Sequence, residues 1–239
     1  TCSLRRTKDQ LVGLPPKTVT LELLEMSDEH AKFYEAIKQG VKEEADKINL
    51  NSSNLLALTT RLRQATACPE ILTSQPIMSS KVQRCVELVE DLVEQGEKVV
   101  IMSTYKAPIY QLMKLLEKYS PLIGTGDQPD AEVSENVEIF QTDPKRKVFI
   151  GSTAKCATGL TLNAAAYMIC LDCTWTSAMN NQCFDRIHRA DNTRPAFITV
   201  LACEDTIDQR VWDVAQYKQD LSDFVIDDIE NSKTLFGEL

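Results

Sequence analysis

Between Asn180 and Thr193 the sequence reads NNQCFDRIHRADNT. On a helix, Gln182, Arg186 and Arg189 stand at i, i+4 and i+7 and share one face. That face carries two planar guanidinium forks and an amide that both gives and takes hydrogen bonds. Phosphate is the natural ligand for such a surface. Upstream, STAKCATGLTLN over 152–163 follows an apolar strand. Its glycine, Gly159, and its small hydroxyl side chains let backbone N–H groups approach a phosphate oxygen. Read from residue types alone, the first stretch is more readily a solvated helix face with an internal ion pair. The second is equally a tight strand-to-helix connection.

Other chemistries fit less well. Cys170, Cys173, Cys183 and His188 superficially offer four metal ligands, but strand alternation sends positions three apart to opposite faces. No second CxxC pair stands at ligand spacing, so no metal site is expected. His188 reads as a hydrogen-bonded structural histidine. No Ser/His/Asp triad emerges. Asp28-Glu29-His30 opens a helix, where first-turn acids suit the helix dipole. It does not close a strand facing a phosphate loop.

The totals bound the answer further. At 239 residues with 43% hydrophobic side chains, the chain builds one large domain, or one domain with an appendage. No apolar run approaches a bilayer-spanning length, and no signal peptide is visible. The chain starts at Thr1, as a processed or truncated chain would. Eight cysteines in apolar contexts fit buried thiols in a reducing compartment. The net charge of -9 opposes tight binding of nucleic acid by this chain alone, although a local basic groove can sit on an acidic protein.

The elements that must position these residues follow from periodicity and punctuation. Pro15 and Pro16 hold an extended segment behind the small basic cluster Arg5, Arg6 and Lys8. A strand is expected over 19–24. A helix capped by Ser27 runs to about Ile48. A polar break at 49–54 precedes a helix over 55–65, in which Arg63 reads by itself as solvent-facing. Ser80-x-x-Gln83 forms a capping-box pattern for a helix ended by Gly96. Strands over 98–102, 122–124, 148–150, 166–172 and 197–201 alternate with helices, which is α/β grammar. Asp205 can cap a final helix carrying Ile207, Val211 and Val214. Behind it, 220–230 is acidic with an apolar stripe.

Several of these stretches, in this order, resemble one family. Leu4-Arg5-Arg6-Thr7-Lys8 with Leu14-Pro15-Pro16-Lys17 resembles its inter-lobe junction. Leu62-Arg63-Gln64 ahead of Cys68-Pro69, Gly159-Leu160, Asp172-x-x-Trp175 and Gln182-x-x-Asp185-Arg186-x-x-Arg189 resemble later motifs. Together they are similar to the C-terminal RecA-like lobe of SNF2-type helicase-like proteins, and the likeness covers almost the whole chain. It implies a RecA-like α/β fold: a parallel sheet flanked by helices, the P-loop NTPase-like second helicase lobe, with extra N-terminal and C-terminal helices. The implied division is an inter-lobe linker over 1–20, a helical extension over 21–80, the core over 81–202, and brace helices with an acidic tail over 203–239.

The implied function is the second motor lobe of an ATP-dependent double-stranded DNA translocase. Arg189 would be the arginine finger, Arg186 its γ-phosphate partner and Gln182 the link to the cleft. Gly159 and Asp185 would lie on the nucleotide side, Asp185 orienting an arginine or the neighbouring loop. Ser152, Thr153 and Lys155 would touch DNA phosphate, and Trp175 would join them as a nucleic-acid-binding residue, supporting the loop and lying near the DNA. ATP and Mg2+ would be held mainly by an N-terminal lobe, because the chain has neither GxxxxGK[ST] nor an acidic box. Partners would be duplex DNA through its backbone, that other lobe and a nucleoprotein substrate, with no membrane. The location would be intracellular: cytoplasmic in a prokaryote or virus, nuclear in a eukaryote. The chain departs from the family pattern at Cys156 and Ala157, where paired glycines are usual, and at Thr161, Thr176-Ser177 and Ala190. Two other readings stay open: a non-catalytic interaction or regulatory lobe, and a strand-separating superfamily 2 helicase.

Overall fold

The computed structural model describes residues 15–47, 52–157, 159–189 and 192–217. The basic cluster at 5–8, the break at 49–51, Ala190 and the acidic stripe at 220–230 lie outside them. Six strands form one sheet: β1 (Lys17–Leu24), β2 (Val99–Ser103), β3 (Leu122–Gly124), β4 (Val148–Ser152), β5 (Tyr167–Cys170) and β6 (Ala196–Cys203). Their order is β1-β6-β5-β2-β4-β3, and every pairing is parallel. Strands β2 and β4 are buried along their whole length, which explains why they read as continuous apolar runs.

Eight helices cover the sheet among the described residues: α1 (Asp28–Lys47), α2 (Ser52–Ala67), α3 (Ser80–Glu94), α4 (Lys106–Leu115), α5 (Asp130–Thr142), α6 (Thr153–Ala157), α7 (Ser177–Phe184) and α8 (207–217). The period of two sorts the strands' side chains into two cores. Met102, Met168, Cys170, Ile198 and Val200 pack against Phe140 of α5, Cys156 of α6, Phe184 of α7 and Trp212 of α8. Val99, Ile101, Ile169 and Leu201 face Val82, Cys85 and Val89 of α3 and Ile109 and Leu112 of α4. This is the RecA-like layering expected from the sequence.

Several details differ from expectation. The division at residue 20 falls inside β1, and that at 202 falls inside β6. β1 pairs with β6 along all of its length, from Lys17↔Ala196 to Leu24↔Cys203, so 17–24 is sheet rather than linker or helical extension. Parallel pairing joins segments remote in sequence, so period alone cannot find the partner. Helix α2 starts at Ser52, inside the expected polar break. The capping box at Ser80 does not form: Ser79 is the N-cap and makes no side-chain cap bond. The Ser80 hydroxyl instead accepts from the Ser27 backbone N–H at 3.1 Å and meets His30 Nδ1 at 3.2 Å. Asp205 does not cap α8 either. It sits in the left-handed region at φ 56°, and Thr206 Oγ1 accepts the Asp208 N–H at 3.2 Å.

The helical bracket is tied inward by polar side chains. His30 is fully buried, with Nε2 2.9 Å from the Ala65 carbonyl. The Tyr34 hydroxyl accepts the Ile207 N–H at 3.0 Å, fastening α1 to the start of α8. No helix among the described residues is long and apolar enough to cross a membrane.

Candidate functional site

Because all six strands are parallel, their carboxyl ends open on one edge, the usual place for ligands in an open α/β sheet. Just past β5, Asp172 is buried; it accepts the Ser103 hydroxyl at 2.7 Å and the Thr104 N–H at 2.8 Å. Arg63 reaches the same point from α2. Its Nη2 donates to the Cys173 carbonyl at 2.6 Å and stands 4.0 Å from Asp172 Oδ1, and its guanidinium lies 5.6 Å from the Tyr105 ring centroid. Arg63 is therefore not a solvent-facing helix arginine; it clamps the loop that carries Trp175. Trp175 itself is half-buried. Thr176 is the N-cap of α7, yet neither it nor Ser177 supplies a capping side-chain bond. Asn180 holds the loop instead, its Oδ1 accepting the Thr174 N–H at 2.8 Å and its Nδ2 donating to the Thr174 carbonyl at 3.0 Å.

Two strands further along this edge, past β2, strand β4 and the start of α6 deliver Ser152, Thr153 and Lys155. Ser152 and Thr153 are buried, and Ser152 Oγ accepts the Lys155 N–H at 3.3 Å, closing the first turn of α6. The Lys155 ammonium pairs with Asp130. Cys156 replaces a small residue of the family pattern and fits because Gly151 faces it: a Cβ at Gly151 would stand 2.6 Å from Cys156 Sγ. Gly159 has φ +119°, a conformation that L side chains rarely adopt. The glycine is thus required by the backbone turn itself.

The arginine stretch differs from its expected form. α7 stops at Phe184, so Gln182, Arg186 and Arg189 do not share one helix face. The chain tightens there: Arg186 N–H bonds to Cys183 O at 3.0 Å, and the Arg186 carbonyl accepts the Leu162 N–H at 3.0 Å from the Gly159 loop. Phe184 and Ile187, three apart and both buried, pull the turn into the core. Gln182 remains exposed on α7, while Arg186 and Arg189 are half-buried in the turn and the segment after it. The start of the chain's first strand docks on the same turn. His188 Nε2 is 2.7 Å from the Pro15 carbonyl, and Lys17 Nζ is 3.1 Å from Asp185 Oδ1. His188 is thus a hydrogen-bonded structural histidine, as read from the sequence, and Asp185 holds Lys17.

The sequence-derived residues therefore fall into two groups. Ser152, Thr153, Lys155 and Trp175 belong to the carboxyl edge. Gln182, Asp185, Arg186 and Arg189 belong to α7 and the turn that packs beside α6, and Gly159 stands in the loop between them. Cys170, Cys173 and Cys183 are buried and free, and among the described residues no group of three His, Cys, Asp or Glu side chains is placed to hold a metal. Burial pushes the Cys183 thiol up to about 12 despite the charge of Arg186 nearby. Sequence reasoning passed over Asn180 and the use of Lys17. The signal for Lys17 was the tandem proline before it, which fixes the chain's direction into β1.

Comparison with known proteins agrees with this architecture. Residues 80–191 match the family described as helicase conserved C-terminal domain. An uncharacterized ATP-dependent helicase of Mycoplasma genitalium is 27% identical over 241 residues, covering 98% of this chain and 23% of that protein. Helicase SWR1 of Yarrowia lipolytica is 32% identical over 163 residues, covering 66% of this chain and 9% of that protein. This chain thus spans about a quarter or less of the length of these relatives. The C-terminal part of the Fun30 ATPase domain superposes with a TM-score of 0.72 at 19% identity, over 84% of this chain and 90% of that one. The Sulfolobus solfataricus SWI2/SNF2 ATPase core in complex with dsDNA superposes with a TM-score of 0.74 at 22% identity, over 91% of this chain and 48% of that one. The chain thus has the fold of the C-terminal domain of the Sulfolobus solfataricus SWI2/SNF2 ATPase, and residues 80–191 within it are similar to the helicase conserved C-terminal domain.

Proposed function

We propose that this chain is the second motor lobe of an ATP-dependent double-stranded DNA translocase. The observation that carries the reading is the hydrogen bond from the Leu162 N–H to the Arg186 carbonyl, which joins the glycine loop to the arginine turn. A displacement of either segment then moves the other, and α6, which carries Thr153 and Lys155 of the DNA-phosphate candidates, packs against α7. A motor needs such a mechanical link between phosphate chemistry and backbone grip. Contacts to the backbone suit the task, since a translocase must hold any sequence.

The residues fit one side of a triphosphate site. Arg186 and Arg189 present delocalised cations in a half-buried setting, where they stabilise charge better than in open water. Arg189 is the finger and Arg186 its partner on the terminal phosphate, with Gln182 at the rim and Asp185 steadying the turn through Lys17. ATP with Mg2+ supplies the phosphoryl group and its charge neutralisation, held mainly by an N-terminal lobe outside this sequence. The sequence contains no GxxxxGK[ST] loop to wrap the phosphates. By itself the 239-residue chain binds ATP weakly and turns it over negligibly. Duplex DNA is the partner at the carboxyl edge, with nucleoprotein as the larger substrate. The location is intracellular: cytoplasmic for a prokaryotic or viral owner, nuclear for a eukaryotic one.

The test is steady-state ATPase of the full-length protein that carries this chain, with and without duplex DNA, beside its Arg189→Ala variant. DNA-stimulated turnover that falls by about 10³-fold or more in the variant is expected for a lost arginine finger. Turnover indifferent to the substitution sinks the assignment of Arg189. Absence of turnover in the folded full-length protein favours a non-catalytic regulatory lobe instead.

A further inference from the structure

Strands β2 and β4 are neighbours, and their last residues, Ser103 and Ser152, are register partners. Paired strands run about 4.8 Å apart. Lys106 stands three residues past Ser103 and Lys155 three past Ser152, each in the first turn of the helix that follows. The two lysines therefore occupy equivalent places on adjoining strand ends. On the outer side of β4, Gly124 of β3 pairs with Gly151, so the loop leaving β3 emerges beside the same spot. That loop carries Asp127, and Asp130 opens α5 directly after it.

Both lysines are taken by this segment. Lys106 pairs with Asp127, whose other oxygen accepts the Tyr110 hydroxyl at 3.1 Å, and Lys155 pairs with Asp130. Two cations from two helices thus meet two carboxylates from one segment. The carboxylates are open to solvent, Asp130 at 88% and Asp127 at 45% exposure. Lys106 is 56% exposed and Lys155 18%, and ion pairs whose carboxylates are so open to water are weakened and exchange readily. A polyanion brings several phosphates and releases counterions on binding, so it outcompetes them. At the root of the loop the Thr125 hydroxyl is fully buried and has no hydrogen-bond partner among the described residues. A buried polar group left unsatisfied disfavours the present loop position.

We propose that Lys106 and Lys155 form one phosphate-accepting pair on the carboxyl edge, and that Asp127 and Asp130 occupy it in competition with the nucleic-acid backbone. Lys106 then joins Lys155 as a DNA-contacting residue, and the 125–130 segment sets the affinity threshold of the lobe. Hydrogen bonds from Lys106 and Lys155 hold Asp127 and Asp130 below the usual carboxylate range, so both remain charged competitors at neutral pH. The proposal rests on the reading that Lys155 faces DNA.

The experiment is fluorescence anisotropy of a labelled duplex titrated with the 239-residue chain over a range of salt. The comparison is between wild type, Asp127→Asn/Asp130→Asn, and a charge-matched control on α3, Asp91→Asn/Glu94→Gln. The loop variant binds about threefold tighter or more, as expected for releasing two weak ion pairs. Its plot of log affinity against log salt steepens by about 0.9 per freed lysine. Adding Lys106→Ala to the loop variant removes part of the gain and of the added slope. Equal tightening by the control overturns the proposal, because net charge alone then explains the effect. A gain that survives Lys106→Ala overturns the paired site. If wild type binds, Lys155→Ala weakens it and the loop variant changes nothing, the competition fails while the lobe's DNA reading stands. If no variant binds duplex even at low salt, both fail together.

Discussion

Lys81 Nζ and Asp208 Oδ2 stand 2.6 Å apart inside the protein, where the lysine side chain has no exposed surface and the aspartate 7%. The pair joins the first turn of α3 to that of α8. Asp208 also accepts the Thr66 hydroxyl at 2.9 Å and the Cys203 N–H at 3.3 Å. Burial works against the ammonium, but the charge of Asp208, with that of Asp172 and the direct hydrogen bond, outweighs it and raises the Lys81 pKa. A raised folded-state pKa contributes stability below the unfolded value of about 10.4, lost as pH rises through the folded value. Asp208→Ala strands a buried cation and should cost about 3–5 kcal/mol. Lys81→Met with Asp208→Asn keeps an acceptor for Thr66 and Cys203 and should recover most of that loss. Urea unfolding of the three proteins decides it: equal losses in the single and double variants would refute the pairing.

The seven described cysteines are free and buried. Burial raises every one of these thiols: Cys68 to about 11, Cys183 and Cys203 to about 12, and Cys85, Cys156, Cys170 and Cys173 further still. Thiolate is the reactive form, so a disulfide reagent at pH 8 should find these seven inert in the native protein. They should react together when denaturant unfolds it. Cys2 lies outside the described residues and is the one thiol to which this expectation does not apply. Rapid labelling of two or more thiols in folded protein would contradict the burial of these seven cysteines.

The strands and helices were legible because their periods are local. VVIMS and VFIGS are apolar runs of strand length, and Val82, Cys85 and Val89 mark the inner face of α3. The edge residues around Asp172 were legible as a stretch, but not their partners. Nothing near Arg63 in sequence announces the Cys173 carbonyl 110 residues away. The arginine face was misread for a related reason. Helical spacing continues through Asp185–Arg189, yet Leu162 claims the Arg186 carbonyl and Pro15 engages His188. Tertiary hydrogen bonds ended a helix that carries no glycine or proline stop. Buried polar pairs such as Lys81–Asp208 look like surface residues to any reading of composition.

His30 supplies a pH dependence of defined sign. It has no exposed surface, and burial lowers its pKa, with the Ala65 carbonyl and Asp208 opposing and Lys81 reinforcing the shift. A depressed folded-state pKa means that the unfolded chain binds the proton first. Stability from this residue is therefore intact above the unfolded value of about 6.5 and is lost as pH falls from there through the folded value. Thermal unfolding at pH 7.5 and pH 5 should show a lower midpoint at pH 5. His30→Gln, which keeps a side-chain donor and acceptor, should narrow the difference between the two pH values. An unchanged difference would move the acid sensitivity to other groups.

Arg63 should behave as a positioning residue for the carboxyl edge. Its guanidinium spans the Cys173 carbonyl, the Asp172 carboxylate and the Tyr105 ring at once, which a lysine point charge cannot do. Arg63→Lys should cost about 1–3 kcal/mol, the range for charge-assisted hydrogen bonds and for buried acceptors left unmet. The specific consequence is at the loop. Trp175 and Trp212 are the two tryptophans, so in a Trp212→Phe background the emission reports Trp175 alone. Arg63→Lys should shift that emission to the red, as the loop loosens and water reaches the indole, under conditions where far-ultraviolet circular dichroism is unchanged. On the motor function proposed above, DNA-stimulated turnover of the full-length protein should fall while basal turnover holds. A residue that merely stabilised α2 would lower the unfolding midpoint and leave the emission where it was.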